Sequence, residues 1–128
     1  MARAKSAHLL LGGYPENVRA ARWFLREQAT SWGFRRLAED IVFVGSELVT
    51  NAVVHARSDV LLDLMFDGKD CVRVEVHDDD SRMPSTTPPD PEALGGRGLV
   101  VIGQLASQWG VEREPHGGKC VWAEFTPV

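Results

Sequence analysis

At 128 residues, 44% hydrophobic and 25% charged, the chain is long enough to bury one core without staples, and its composition is that of an ordinary globular domain. A formal charge of −4 and a pI near 5.5 argue against direct binding to nucleic acid. The longest early apolar run, Leu9-Leu10-Leu11, is too short for a signal-peptide core or a membrane span, so a single cytoplasmic domain over 1–128 is expected, with no membrane partner.

In chain order, Ala7 to Leu11 reads as a first or edge strand ending at Gly12-Gly13. Pro15-Glu16-Asn17 opens a helix to about Ser31, with Val18, Ala21, Leu25 and Trp32 on its inner stripe and Gly33 as its stop. A second helix is expected from about Leu37 to Ala56. Within it, Glu47, Asn51 and His55 recur every fourth residue; at about 100° per residue they line one helix edge. A carboxylate can accept a proton, a carboxamide oxygen can coordinate a hard cation, and an imidazole can donate to phosphate. Polar residues at this spacing also describe a solvated helix face, although Thr50, Asn51 and His55 are mediocre helix formers for such a face.

Val60 to Asp67 reads as a strand, Asp67-Gly68-Lys69-Asp70 as a turn, and Cys71 to His77 as the return strand. In that return strand Val72, Val74 and Val76 alternate with Arg73, Glu75 and His77, which predicts one buried and one polar face. From Asp78 to Gly98 the pattern breaks, with Pro84, Pro88, Pro89 and Pro91 and then Gly95-Gly96-Arg97-Gly98. A loop this long is either a binding loop or a disordered insertion. Leu99 is expected to start a helix to about Ser107. A glycine-rich segment entering a helix exposes backbone N–H groups to an anion, and it also occurs as a simple turn. Two strands, Gly110 to Arg113 and Cys120 to Thr126, close the chain. Cys71 and Cys120 lack metal-ligand spacing and read as reduced core thiols. Trp23, Trp32, Trp109 and Trp122 read first as core packing, with a partner surface as the alternative for some of them. The order β-α-α-β-β-loop-α-β-β predicts an α+β fold, with helices on one face of a mixed, mainly antiparallel sheet.

Taken together in this order, the motifs resemble the GHKL ATPase superfamily, and more narrowly the small bacterial anti-sigma-factor serine/threonine kinases. Glu47-Leu-Val-Thr-Asn51-Ala-Val-Val-His55-Ala is similar to the family's N box. Val74-Glu-Val-His-Asp78 is similar to the strand and aspartate of its first glycine box. Gly96-Arg97-Gly98-Leu99 is similar to the second box, and Gly118-Lys119-Cys120-Val121-Trp122 to the closing strand. The resemblance spans about Leu11 to Phe125. It implies the Bergerat ATP-binding fold, a two-layer α/β sandwich that takes ATP or ADP with Mg²⁺. Glu47 would be the general base and Asn51 the Mg²⁺ ligand, with His55 near phosphate and Asp78 accepting the adenine amino group. Gly96, Arg97, Gly98 and Leu99 would close over the phosphates as the end of a lid over 79–98, and Lys119 would add charge beside them. The implied partners are a sigma factor and a small antagonist protein that the kinase phosphorylates, and the first strand is a candidate edge for a homodimer. The superfamily's first box is D-x-G-x-G, whereas here Asp78 is followed by Asp79, Asp80, Ser81 and Arg82. That departure keeps open an alternative: a non-catalytic nucleotide- or partner-binding module.

Overall fold

The computed structural model describes residues 3–55, 57–80, 96–115 and 117–126; for residues 55 and 96–99 it describes the backbone alone. Of the lid expected over 79–98, residues 81–95 lie outside the described residues. Strand β1 (Lys5–Leu11) is followed by a 3-10 turn (Pro15–Asn17) and helices α1 (Val18–Ser31) and α2 (Arg35–Thr50). A π-helical turn (Asn51–His55) extends α2. Strands β2 (Val60–Phe66) and β3 (Val72–Asp78), helix α3 (Gly96–Leu105), and strands β4 (Gln108–Arg113) and β5 (Lys119–Phe125) complete the order. The five strands lie in the order β1-β2-β3-β5-β4, and every pairing is antiparallel. The sheet expected as mixed therefore contains no parallel pair among the described strands. β1 is an edge, as its sequence suggested.

Alternation decides which face is buried. Val72, Val74 and Val76 point into the core with Leu62, Leu64, Ala123 and Phe125, all at 0–1% exposure. Helix α1 contributes Ala21, Phe24, Leu25 and Ala29, and α2 contributes Ile41, Val44, Leu48 and Val49. Each fully buried Val, Leu, Ile or Phe side chain among these stabilises the fold by roughly 1.5–3 kcal/mol. The predicted inner stripe of α1 held for Ala21 and Leu25, whereas Val18 and Trp32 pack only partly buried at its ends. Helix α1 stops at Gly33 (φ +94°), where Phe34 N–H bonds to Ala29 O at 2.9 Å and Gly33 N–H to Thr30 O at 3.0 Å. Among the described residues no helix is long and apolar enough to cross a membrane.

Two helix boundaries differ from expectation. The second helix does not run regularly to Ala56: it widens into the π-helical turn from Asn51, and residue 56 lies outside the described residues. Helix α3 begins at Gly96 rather than Leu99, so the Gly-Arg-Gly segment forms its first turn. Packing of α3 against α2, with Ile102 fully buried, outweighs the low helix propensity of those glycines.

Candidate functional site

Glu47 and Asn51 stand one helical turn apart at the C-terminal end of α2, both half-buried. Asn51 N–H bonds back to Glu47 O and Leu48 O, a shared bond at the point where the α-turn opens into the π-turn. Such turns shift every residue beyond them around the helix axis and often mark functional positions. His55 therefore does not follow the regular four-residue drift, and its side chain lies outside the described residues. Thr50 leaves the site by bonding its hydroxyl to Ser46 O at 2.7 Å. Among the described residues the Glu47 carboxylate and the Asn51 carboxamide have no side-chain hydrogen-bond partner, so both remain available to a ligand. Glu47 lines a cavity of about 410 Å³ with Arg22, Asp40, Phe43, Ser46 and Leu105.

Asp78 ends β3 on the helix-facing side of the sheet and is 6% exposed. Its Oδ1 accepts two bonds, from Asp80 N–H at 2.8 Å and from Lys119 Nζ at 3.1 Å. Lys119 also donates to Asp80 O at 2.9 Å, and it too is 6% exposed. Burial pushes the Asp78 carboxyl above its ordinary range, against the pull of the Asp80 amide and the Lys119 ammonium. The lysine expected beside phosphate is thus committed to Asp78 and Asp80. Oδ2 of Asp78 keeps its acceptor capacity among the described residues.

Backbone contacts fix this corner. Ser58, 7% exposed, accepts Asp79 N–H through its hydroxyl at 2.8 Å, tying the segment after the π-turn to the end of β3. Gly118 has φ +80°, and a Cβ there would lie 2.1 Å from Asp78 O, so only glycine lets β5 enter so close to the aspartate. Asp78 and Asp79 line a cavity of about 440 Å³ with Leu11, Asp59, His77 and Glu114. Neither this cavity nor the one at Glu47 contains both groups, and Asn51 lines neither. Gly96, Arg97, Gly98 and Leu99 form the first turn of α3, whose leading N–H groups have no intrahelical acceptor; their side chains lie outside the described residues. Sequence reasoning missed Ser58, because its contact depends on a register that no local signal announces.

The opposite face of the sheet is polar. His77 Nδ1 lies 2.5 Å from Glu114 Oε1, and its Nε2 lies 3.0 Å from Glu75 Oε1 and 3.3 Å from Asp63 Oδ2. Burial opposes charge on this imidazole, but the Glu114 and Glu75 carboxylates outweigh it and raise its pKa. Burial pushes the Cys120 thiol up to about 12; Cys71 and Cys120 are both free thiols, but only Cys120 is a core residue, Cys71 being partly exposed just before β3. Arg73 stacks 4.2 Å from the Trp122 ring centroid, and Trp23 is 66% exposed, so the tryptophans divide between packing and surface.

Comparison with solved structures finds the same fold within part of the crystal structure of the RsbU and RsbW domains of Rv1364c from Mycobacterium tuberculosis. The TM-score is 0.72 at 22% identity, over 95% of this chain and 32% of that one. This chain therefore spans about a third of that protein's solved length. No curated protein matches it. A family model, the histidine kinase-like ATPase domain, matches residues 13–125, which include both Glu47 and Asp78, and the chain belongs to that family.

Proposed function

We propose that this protein binds ATP with Mg²⁺ and acts as an anti-sigma-type protein serine/threonine kinase in a partner-switching pathway, phosphorylating a small antagonist protein. The observation that carries the reading is the pairing of a carboxylate, Glu47, with a carboxamide, Asn51, one turn apart in a histidine kinase-like ATPase domain, neither with a side-chain hydrogen-bond partner among the described residues. The donor set fits a magnesium nucleotide. Asn51 offers a hard oxygen suited to Mg²⁺, the first turn of α3 offers N–H groups to phosphate, and Asp78 Oδ2, without a hydrogen-bond partner among the described residues, can accept an adenine amino group. When bound, Mg²⁺ neutralises charge on the phosphates.

The chain's own residues do the rest. Asp78, held by Lys119 and the Asp80 amide, selects the base. Gly96, Arg97, Gly98 and Leu99 approach the phosphates, with His55 at the end of the π-helical turn that begins at Asn51. Glu47 accepts the proton of the substrate hydroxyl as its oxygen bonds to the γ-phosphorus and the β–γ bridging oxygen leaves with the electron pair, on ADP. A sigma factor is the second partner in this reading, supported by likeness in fold to an RsbW domain. The alternative, a binding module without phosphotransfer, draws on the missing first-box glycines after Asp78.

Calorimetry with ADP and ATP, with and without Mg²⁺, tests the pocket in wild type and Asp78→Asn. Phosphate transfer from ATP to candidate antagonist proteins tests the chemistry. Transfer that Glu47→Ala abolishes while ADP binding persists upholds the kinase. Unchanged transfer in Glu47→Ala removes the base assignment, and Mg²⁺-nucleotide binding without any transfer favours the binding module.

A further inference from the structure

The open face of the sheet gathers side chains from three adjacent strands around one imidazole nitrogen. His77 and Cys120 are register partners across β3 and β5, and Asp63 and Glu75 are partners across β2 and β3. Glu75 lies two residues before His77 on the same face of the strand. The pairing converges Glu75 Oε1 at 3.0 Å, Asp63 Oδ2 at 3.3 Å and Cys120 Sγ at 3.9 Å on His77 Nε2. The donor atoms of Glu75, His77 and Cys120 all lie within 4.8 Å of one another.

We propose that His77 Nε2, Cys120 Sγ and the Glu75 carboxylate, with Asp63 beside them, form a binding site for a borderline-soft divalent metal ion of the zinc class. The separations from His77 Nε2 are close to those the coordination shell requires, and the Glu75 and Cys120 donors, within 4.8 Å of each other, close onto the ion by side-chain rotation. With bonds of about 2.0 Å to N and O and about 2.3 Å to S, tetrahedral edges come to about 3.3 Å for N···O and about 3.5 Å for N···S. The three contacts to Nε2 depart from those edges by only a few tenths of an ångström, so small rotamer changes admit the ion. A mixed N, S and carboxylate set suits zinc and excludes magnesium, which takes oxygen ligands.

The surroundings support the same assignment. Glu114 Oε1 engages Nδ1 at 2.5 Å, which fixes the ring and leaves Nε2 as the face presented to the other donors. An outer carboxylate on a ligating histidine is the usual orienting partner at zinc sites. Arg73, the nearby cation, is already paired with Glu75 Oε2 at 2.7 Å and Glu124 Oε2 at 3.0 Å, leaving Glu75 Oε1 to the cluster. Cys120 is buried while His77, Glu75 and Asp63 are partly exposed, so an ion reaches the site from solvent and closes on the thiol. Cys120 binds as the thiolate, its proton passing to solvent. An ion here cross-links β2, β3 and β5 on the face away from the helices. The site does not depend on the nucleotide reading, which calorimetry on metal-free protein tests separately.

The test is titration of untagged, metal-free protein with Co²⁺ and Zn²⁺ in excess Mg²⁺, which saturates oxygen-only sites. The expected result is one ion per chain, with a thiolate-to-cobalt charge-transfer absorption that Zn²⁺ displaces. Cys120→Ser removes that absorption, and His77→Gln weakens binding at least as much as Glu114→Gln, for which a loss of about 10- to 100-fold is expected. Wild-type protein that takes up cobalt without the thiolate absorption, or takes up none, overturns the proposal and leaves an imidazolium held by carboxylates. Affinity unchanged in folded Cys120→Ser or Glu114→Gln overturns it too. Should Cys120→Ser fail to fold, the wild-type spectrum and Glu114→Gln decide.

Discussion

Lys119 Nζ lies 3.1 Å from Asp78 Oδ1 across the β3–β5 ladder, where the two residues are direct register partners with side chains 8% and 3% exposed. Both charges have left water, so each depends on the other. Removing one partner of a buried pair typically costs about 3–5 kcal/mol, whereas replacing both with groups of similar shape is often close to neutral. Lys119→Met is therefore expected to destabilise the fold by about 3 kcal/mol, as measured by urea unfolding. The double variant Asp78→Asn/Lys119→Met should recover most of that loss, since the Asn oxygen still accepts Asp80 N–H. A loss in the double variant equal to the sum of the losses in Asp78→Asn and Lys119→Met would mean that the pair contributes no coupling.

The same corner makes a sharper demand on Gly118. Its φ of +80° costs a residue with a Cβ about 1–2 kcal/mol, and that Cβ would sit 2.1 Å from Asp78 O and 3.0 Å from Asp79 Cα. These neighbours are backbone, so β3 or the turn before β5 must move. Gly118→Ala should cost more than the conformational penalty alone, with a fall of more than about 2 kcal/mol in unfolding free energy. Because the shift displaces Asp78, ADP affinity should fall in protein that remains folded. Gly117→Ala is the control: it shares a left-handed φ of +98° but has nothing within 4 Å, so it should show the conformational cost without the loss of ADP binding.

What the sequence made legible was local. The alternation of Val72, Val74 and Val76 located the buried face of β3, and Asp67-Gly68-Lys69-Asp70 located the turn before it. The element order followed from these patterns and from the helix stops. The π-turn stayed hidden because Asn51-Ala-Val-Val-His55 is equally compatible with an α-helix, and only the packing and exit of the chain select the wider turn. The key contacts stayed hidden for a different reason. Lys119 meets Asp78 across 41 residues, Cys120 meets His77 across 43, and Ser58 meets Asp79 across 21. Each arises from strand register or loop placement, which the alternating pattern constrains in parity and leaves open in pairing. That is why Cys120 showed no metal-ligand spacing in the sequence and yet lies against an imidazole in the fold.

The turn between β2 and β3 sets the register of those two strands, and Asp67 holds it. Its Oδ1 accepts three backbone N–H groups, from Lys69 at 2.8 Å, Asp70 at 3.0 Å and Cys71 at 3.0 Å. The Cys71 and Lys69 amides hold the carboxyl below its ordinary value of 3.8 despite some burial cost. A group whose pKa is lower folded than unfolded contributes stability that is complete above the unfolded value and lost as pH falls through the folded one. Asp67→Asn keeps an acceptor oxygen but removes the charge, so it should be less stable than wild type at neutral pH. The gap should stay constant from pH 7 to about pH 5 and close as pH drops below 3.8 toward the lowered folded value, because wild type then loses the same charge. Urea unfolding of both proteins across this range measures it. A gap that does not change with pH would mean that the amides recognise the oxygen and not its charge.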